Sequence, residues 1–306
     1  MNVIRHAREL AGRKVCLAIG VFDGVHLGHQ QVLRQTISDA HRHGATAVAI
    51  TFDRHPSSVV APERTPPLIY SLPQKLRAIA SLGVDATLLV EFNKVFSSQS
   101  GEAFIRSLVE NVGQLFCICV GATFTFGHKR SGNVELLRNL GSELKFAVHG
   151  LAALSLDGQP VSSTRIRDVI RSGDLDAASQ MIGRPYSVAG KVVRGDALGR
   201  QLGAPTANLD VSGLMLPPGG VYAAHALVGG RLLHAAVNIG HRPTLGHAQP
   251  TLRVEAHLID FEGDLYDQEL ELIFVEKLRE ERAFPSLDAL KAQIQEDLRL
   301  TRQTLE

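Results

Sequence analysis

The sequence has no tryptophan, only three cysteines and three methionines, and few aromatic side chains of any kind. Nor is one sign of charge in excess, since 32 Lys and Arg face 31 Asp and Glu and the two are mixed along the chain. Without a basic stripe or tail there is no broad electrostatic footprint for nucleic acid or an anionic membrane, so small molecules are the expected partners. No stretch approaches the roughly twenty apolar residues of a spanning helix. The opening MNVIRHAREL lacks an apolar core of signal-peptide length, so the expected location is the cytoplasm. Cys16, Cys117 and Cys119 fall in apolar runs without a CxxC pair, with Cys117 and Cys119 on one face of a strand. They read as small buried hydrophobes with free thiols, suited to a reducing compartment and without a redox role. Also absent are the six-residue Rossmann glycine fingerprint and the Gly-Lys-Ser/Thr of a Walker loop.

What the sequence does have is concentrated first in residues 15–44, VCLAIGVFDGVHLGHQQVLRQTISDAHRHG. An apolar run ends at Gly20, Gly24 and Gly28 space out a turn, and Val32, Leu33, Ile37 and Ala40 follow at helical spacing. A strand, a glycine loop and a helix in that order turn backbone N–H groups and the positive helix end toward an anion, which makes a phosphate seat. His26 and His29 stand at this junction, three residues apart. The bland alternative is that the glycines serve only backbone geometry and the histidines are surface polar groups. A zinc pair fits poorly, because helical metal pairs favour an i, i+4 spacing and a further ligand.

At 306 residues, two domains are expected. In the first, apolar runs at 15–19, 45–52, 86–92, 115–120 and 145–149 alternate with helical patterns at 71–82 and 102–112. Ser71 and Gln74 are spaced as a capping box. This alternation predicts a Rossmann-like α/β domain with a parallel sheet, whose ligands lie beyond the carboxyl ends of the strands, where His26, His29 and Asp53 fall. The segment VSSTRIRDVI (161–170) is a hydroxyl-rich entry to a helix. Ser162, Ser163 and Thr164 fit a simple cap, but hydroxyls, first-turn N–H groups and an arginine also make a polyphosphate clamp.

Near Gly183 the character changes, which sets the expected domains at 1–183 and 184–306. Strand-like runs at 221–228 and 232–239 are joined by Gly229 and Gly230, the best hairpin signal in the chain. Further strands fit 253–259 and 269–275, and together these predict a small closed antiparallel barrel with an amphipathic terminal helix from Ser286 onward. Within this half stand GDALGRQLGAPTANL (195–209), PPGGVY (217–222), NIGHRPT (238–244) and VEAHLIDFEGDLY (254–266). Turn chemistry accounts for many of these residues. Glu255 is harder to explain that way, because an acid sits within an alternating strand where an apolar or neutral side chain would cost less.

Taken together, GVFDGVHLGH, TFDRHP, VSSTRIR, GRQLGAPTANL, GGVY, NIGHRPT and VEAHLIDFEGDLY resemble, in order, the motifs of the bacterial bifunctional riboflavin kinase and FAD synthetase family, the first being the family's form of the HxGH nucleotidyltransferase signature. The resemblance implies an N-terminal domain that transfers AMP from ATP to FMN and a C-terminal riboflavin kinase-like barrel that phosphorylates riboflavin, both using Mg2+ and ATP. It implies that Gly24, His26 and His29 hold ATP phosphates, with Ser163, Thr164 and Arg167 closing the other side. Thr206 and Asn208 would coordinate Mg-ATP, and Glu255 would take the proton of the attacking hydroxyl. Thr123 departs from the family's Asp or Asn before Phe124, so weaker FAD synthesis is expected. Two rivals stay open: a riboflavin kinase with a degenerate first domain, and a non-catalytic flavin-binding regulator.

Overall fold

The computed structural model describes residues 1–195, 199, 203–241 and 252–306; parts of GDALGRQLGAPTANL and NIGHRPT lie outside them. Two compact units divide the chain, one of residues 1–68 and 72–163, the other of residues 69–71 and 164–306.

The first unit is built on a six-stranded parallel sheet. Its strands are β1 (Asn2–Ile4), β2 (Lys14–Ile19), β3 (Thr46–Phe52), β4 (Ala86–Val90), β5 (Gln114–Gly121) and β6 (Ala147–Leu151), in the order β1-β4-β3-β2-β5-β6. The central strands are nearly continuous apolar runs because both faces are covered, so neither face selects for polar residues. The longer helices are α1 (Leu27–His43), α2 (Leu72–Ala80), α3 (Gly101–Asn111) and α4 (Val134–Leu144). Strand order reverses about β2, with β3 and β4 to one side and β5 to the other, so the crevice at the carboxyl end of β2 is the topological switch point. α1 starts there, capped by His26, and ends at Gly44 in the left-handed region.

The sequence expectation differs at α4, which no expected helix covers, and at two strands. Short, exposed β1 adds a sheet edge that periodicity does not mark. The expected strand at 145–149 starts at Ala147, because Lys145 is the left-handed cap of α4, with φ of 65°.

In the second unit α5 (Ser163–Ser172) and α6 (Leu175–Ile182) precede a closed barrel. Its strands are β7 (Ser187–Val193), β8 (Ala207–Asp210), β9 (Gly220–Val228), β10 (Arg231–His241), β11 (Leu252–Leu258) and β12 (Glu269–Arg279). Their order is β7-β8-β11-β10-β9-β12, with every neighbouring pair antiparallel. Inward residues such as Ala207, Leu209, Val237, Val254 and Leu272 are buried and form the barrel core with the stacked rings of Tyr186 and Phe274. α7 (Leu287–Leu305), capped by Ser286, packs on β9, β10 and β12.

Candidate active sites

The loop between β2 and α1 is held in a conformation that few residues adopt. Phe22, Gly24 and Val25 all have positive φ, of 52°, 76° and 41°. For a β-branched residue such as Val25 this is costly, and such strain persists where surrounding contacts enforce it. Here the buried Gln30 amide donates to the Val25 carbonyl at 3.0 Å, and the Ser163 hydroxyl donates to the Asp23 carbonyl at 3.1 Å. Ser163 is thereby joined to the loop carrying Gly24.

His26 and His29 come together at the start of α1. Their rings stack at 3.6 Å, and His26 Nδ1 accepts the His29 backbone N–H. Gly28 permits this arrangement, since a Cβ there would lie 3.3 Å from the His26 ring. His29 Nδ1 is buried and has no hydrogen-bond partner. Burial, then the neighbouring His26 and Lys75, hold the His29 imidazole well below the ordinary histidine value. The ring is therefore neutral at pH 7 and suited to donate a hydrogen bond to phosphate rather than to offer a resident charge. Thr164 and Arg167 lie on α5, where Arg167 is buried.

Lys75 is a site residue that sequence reading missed. It sits on α2, is 7% exposed, and its Nζ donates to the Phe52 carbonyl at 2.8 Å, Thr51 Oγ1 at 3.3 Å and the Val21 carbonyl at 3.4 Å. It thus ties together the ends of β2 and β3. Burial lowers its pKa from 10.5 to about 8, opposed in part by Asp23 and Asp53.

Beyond the same strand ends lies a cavity of about 600 Å³ walled by Phe52, Phe92, Phe96, Phe104, Phe124 and Phe126, with His55, His128, Lys129 and Arg130 contributing polar lining. Its rings meet mostly edge to face, at 5.2 Å for Phe52 and Phe92 and 5.5 Å for Phe96 and Phe104. Of this wall, Phe52 lies in the TFDRHP motif and Phe124 follows Thr123; the other rings were not marked in the sequence. Thr123, expected at a strand end, is exposed in the turn after β5, outside the cavity lining.

On the barrel, register explains Glu255. Asn208 pairs with Glu255, Glu255 with Asn238, Asn238 with Val221, and Val221 with Arg279, a row across five strands. Asn208, Glu255 and Asn238 are half-buried, between inward residues that are fully buried, so all three side chains face outward. Thr206, two residues before Asn208, flanks the row. A cavity of about 270 Å³ lies over it, lined by Thr206, Glu255, Asn238 and Arg279 and roofed by Leu290, Ile294 and Leu298 of α7. A second cavity, of about 410 Å³, lies on the other side of Thr206, among Val192, Phe261, Leu265 and Tyr266.

Two glycines make room here. A Cβ on Gly195 would collide with the Asn208 carboxamide, and one on Gly199 would meet the Thr206 side chain at 3.2 Å and crowd the Ala204 carbonyl. His257 Nδ1 donates to the Pro205 carbonyl at 2.8 Å, fixing the peptide before Thr206.

Comparison with known proteins defines the class. Residues 9–165 match the family described as FAD synthetase and residues 182–305 the family described as riboflavin kinase, so a nucleotidyltransferase sheet is followed by a flavokinase barrel. Full-length relatives include the bifunctional riboflavin kinase/FMN adenylyltransferases of Pseudomonas fluorescens (38% identity, 99% of this chain and 97% of that protein) and Haemophilus influenzae (34%, 97% of each). That of Escherichia coli strain K12 is 35% identical, over 97% of this chain and 96% of that protein. The chain belongs to the bifunctional riboflavin kinase/FMN adenylyltransferase family. A solved structure of a macrolide-efflux protein from Streptococcus pneumoniae shares the fold, with a TM-score of 0.81, 27% identity and 98% coverage of both chains. Among the described residues of this chain no helix is long and apolar enough to cross a membrane.

Proposed function

We propose that the chain makes FAD in two ATP-dependent steps, with residues 184–306 phosphorylating riboflavin to FMN and residues 1–183 transferring AMP to FMN with release of pyrophosphate. The register row of Asn208, Glu255 and Asn238 carries this reading, since it gathers a carboxylate and two amides on the outer wall of a closed barrel. A ribityl hydroxyl directed at Glu255 gains a proton acceptor as it attacks the terminal phosphorus of ATP. Thr206 and Asn208 offer the hard oxygens that Mg2+ prefers, and Gly195 and Gly199 leave those side chains uncovered. Bound there, Mg2+ would neutralise phosphate charge.

For adenylyl transfer the chain needs no nucleophile of its own, because the FMN phosphate attacks the α-phosphorus of ATP directly. Its work is to position the reactants and place donors where charge develops. The α1 N-terminus, neutral His29 and His26 supply donors, and Ser163 is already bonded to that loop. Thr164 and Arg167 of α5 keep the phosphate-binding role that the family resemblance implies for them. The aromatic cavity suits a flat isoalloxazine ring, with its basic lining available to a phosphate.

The test is a time course with riboflavin, ATP and Mg2+, resolving flavins chromatographically. FMN should appear first and FAD after it. FMN without FAD at saturating substrates would leave the kinase-only reading, and no turnover would leave the flavin-binding regulator. For the domain boundary, a fragment from Arg184 should phosphorylate riboflavin; a folded but inactive fragment moves the boundary toward Thr164.

A further inference from the structure

All three cysteines of the chain meet at one place that the two reactions do not use. Cys16 on β2 pairs in register with Cys117 on β5, and Cys119 pairs with His149 on β6, so these side chains share one face of the sheet. α1 packs across that face and lowers Asp39, only 3% exposed, onto them. Asp39 Oδ2 lies 3.8 Å from Cys117 Sγ, 3.6 Å from Cys119 Sγ and 3.5 Å from His149 Nε2. Donor atoms of Asp39, Cys117 and Cys119 all fall within 4.8 Å of one another. The position is about 20 Å along α1 from His26, at 1.5 Å per residue.

A carboxylate buried between thiols is poorly compensated, because S–H is a weak donor. Yet this one is held in place. The Gln35 amide donates to both of its oxygens at 3.0 Å, and Arg42 reaches Oδ1 at 3.5 Å. Oδ2 is the atom presented to the thiols and the imidazole. A tetrahedral zinc with ordinary bonds to sulfur, nitrogen and oxygen has ligand-to-ligand edges of roughly 3.3 to 3.8 Å. The separations of Oδ2 from Cys117 Sγ and Cys119 Sγ fall in that range, and His149 touches the cluster through Asp39.

We propose that Asp39, Cys117 and Cys119 form a zinc site that pins α1 to β5. Two thiolates select zinc over magnesium or calcium, and the half-exposed His149 marks the entry side. Binding breaks two S–H bonds, forms two Zn–S bonds and releases two protons to solvent, so affinity rises with pH. Gln35 is a positioning residue for Asp39.

The experiment uses the full chain, loaded with Zn2+, passed over a weak chelating resin and analysed for metal. One equivalent per chain is expected. Replacing zinc with Co2+ should give thiolate-to-cobalt charge-transfer bands, which magnesium-type oxygen sites cannot produce. Cys119→Ser should weaken those bands, and Cys117→Ser with Cys119→Ser should abolish them. Should these variants fail to fold, Gln35→Ala, which removes no ligand, should still lower zinc affinity by about 10- to 100-fold. Less than a tenth of an equivalent of zinc, or a cobalt complex without charge-transfer bands, overturns the proposal, as does a Gln35→Ala protein with native affinity.

Discussion

Lys75→Met separates the energetic and functional consequences of burying a charge beneath the glycine loop between β2 and α1. The lysine pKa falls from 10.5 to about 8, mainly through burial, so holding the charged form inside costs about 3 kcal/mol at neutral pH. Methionine removes that cost but leaves the Phe52 carbonyl and Thr51 Oγ1 without this donor, at roughly 1 to 3 kcal/mol for each acceptor left unsatisfied, while the Val21 carbonyl keeps the Thr51 hydroxyl at 2.9 Å. Near pH 7 the two effects largely cancel. Raising the pH breaks the tie. Between about pH 8 and 10.5 the folded state has released the lysine proton while the unfolded chain still binds it, so wild-type stability rises with pH through this window. At pH 9.5 the wild type should have gained about 2 kcal/mol on Lys75→Met relative to their difference at pH 7.5, read from urea unfolding at the two pH values. In the same preparations FMN adenylylation should fall about tenfold as the ends of β2 and β3 loosen, while riboflavin phosphorylation is unchanged. Parallel stability profiles for the two proteins would refute the electrostatic account of Lys75.

Glu255→Gln should lower riboflavin phosphorylation by a hundredfold or more, as expected for loss of roughly 10² to 10⁴ from a general base, and spare FMN adenylylation; near-native kinase turnover would remove Glu255 from that role. His29→Ala should do the reverse, lowering FAD formation by roughly a hundredfold in an assay supplied with FMN. Thr123→Asn should raise adenylylation by up to about tenfold, the worth of one neutral hydrogen bond, without changing the kinase; equal FAD rates would show that the exposed turn does not grip ligand. Arg279 makes two bonds to Asp297, at 2.8 and 2.7 Å, and fastens β12 to α7. Asp297→Ala should therefore cost about 3 kcal/mol in urea unfolding and raise the KM for riboflavin as the cavity roof loosens.

The parallel sheet was legible because its central strands are buried on both sides and therefore read as unbroken apolar runs. The helix 134–144 was not singled out: its apolar face of Val134, Leu137 and Leu140 is short, and the glycines and charges before it read as loop. His26 and His29 were visible as a spaced pair at a strand-to-helix turn. Lys75 was invisible for a physical reason. A lysine in an amphipathic helix ordinarily points to solvent, and only tertiary packing reveals that its ammonium reaches three acceptors at two strand ends. Asn238 was hidden similarly, since its relation to Glu255 and Asn208 is a matter of cross-strand register, which sequence spacing within one strand does not contain. The cysteines were correctly read as buried and free, but their convergence on Asp39 depends on how α1 crosses the sheet.

The barrel row also makes the proposed kinase site a matter of parity. Asn208, Glu255 and Asn238 face outward only because each occupies the correct odd or even place in its strand, with Ala207, Val254 and Val237 taking the inward places beside them. Removing one residue within a strand exchanges the two sets, sending a carboxylate or amide into the apolar interior and a methyl-bearing side chain to the substrate. Removing two restores the facing and shifts the row along the barrel. A deletion scan through β11 should therefore record a pattern that no substitution scan can: single deletions lose the fold and the kinase together, whereas paired deletions retain the barrel and lose only the alignment of Glu255 with its neighbours.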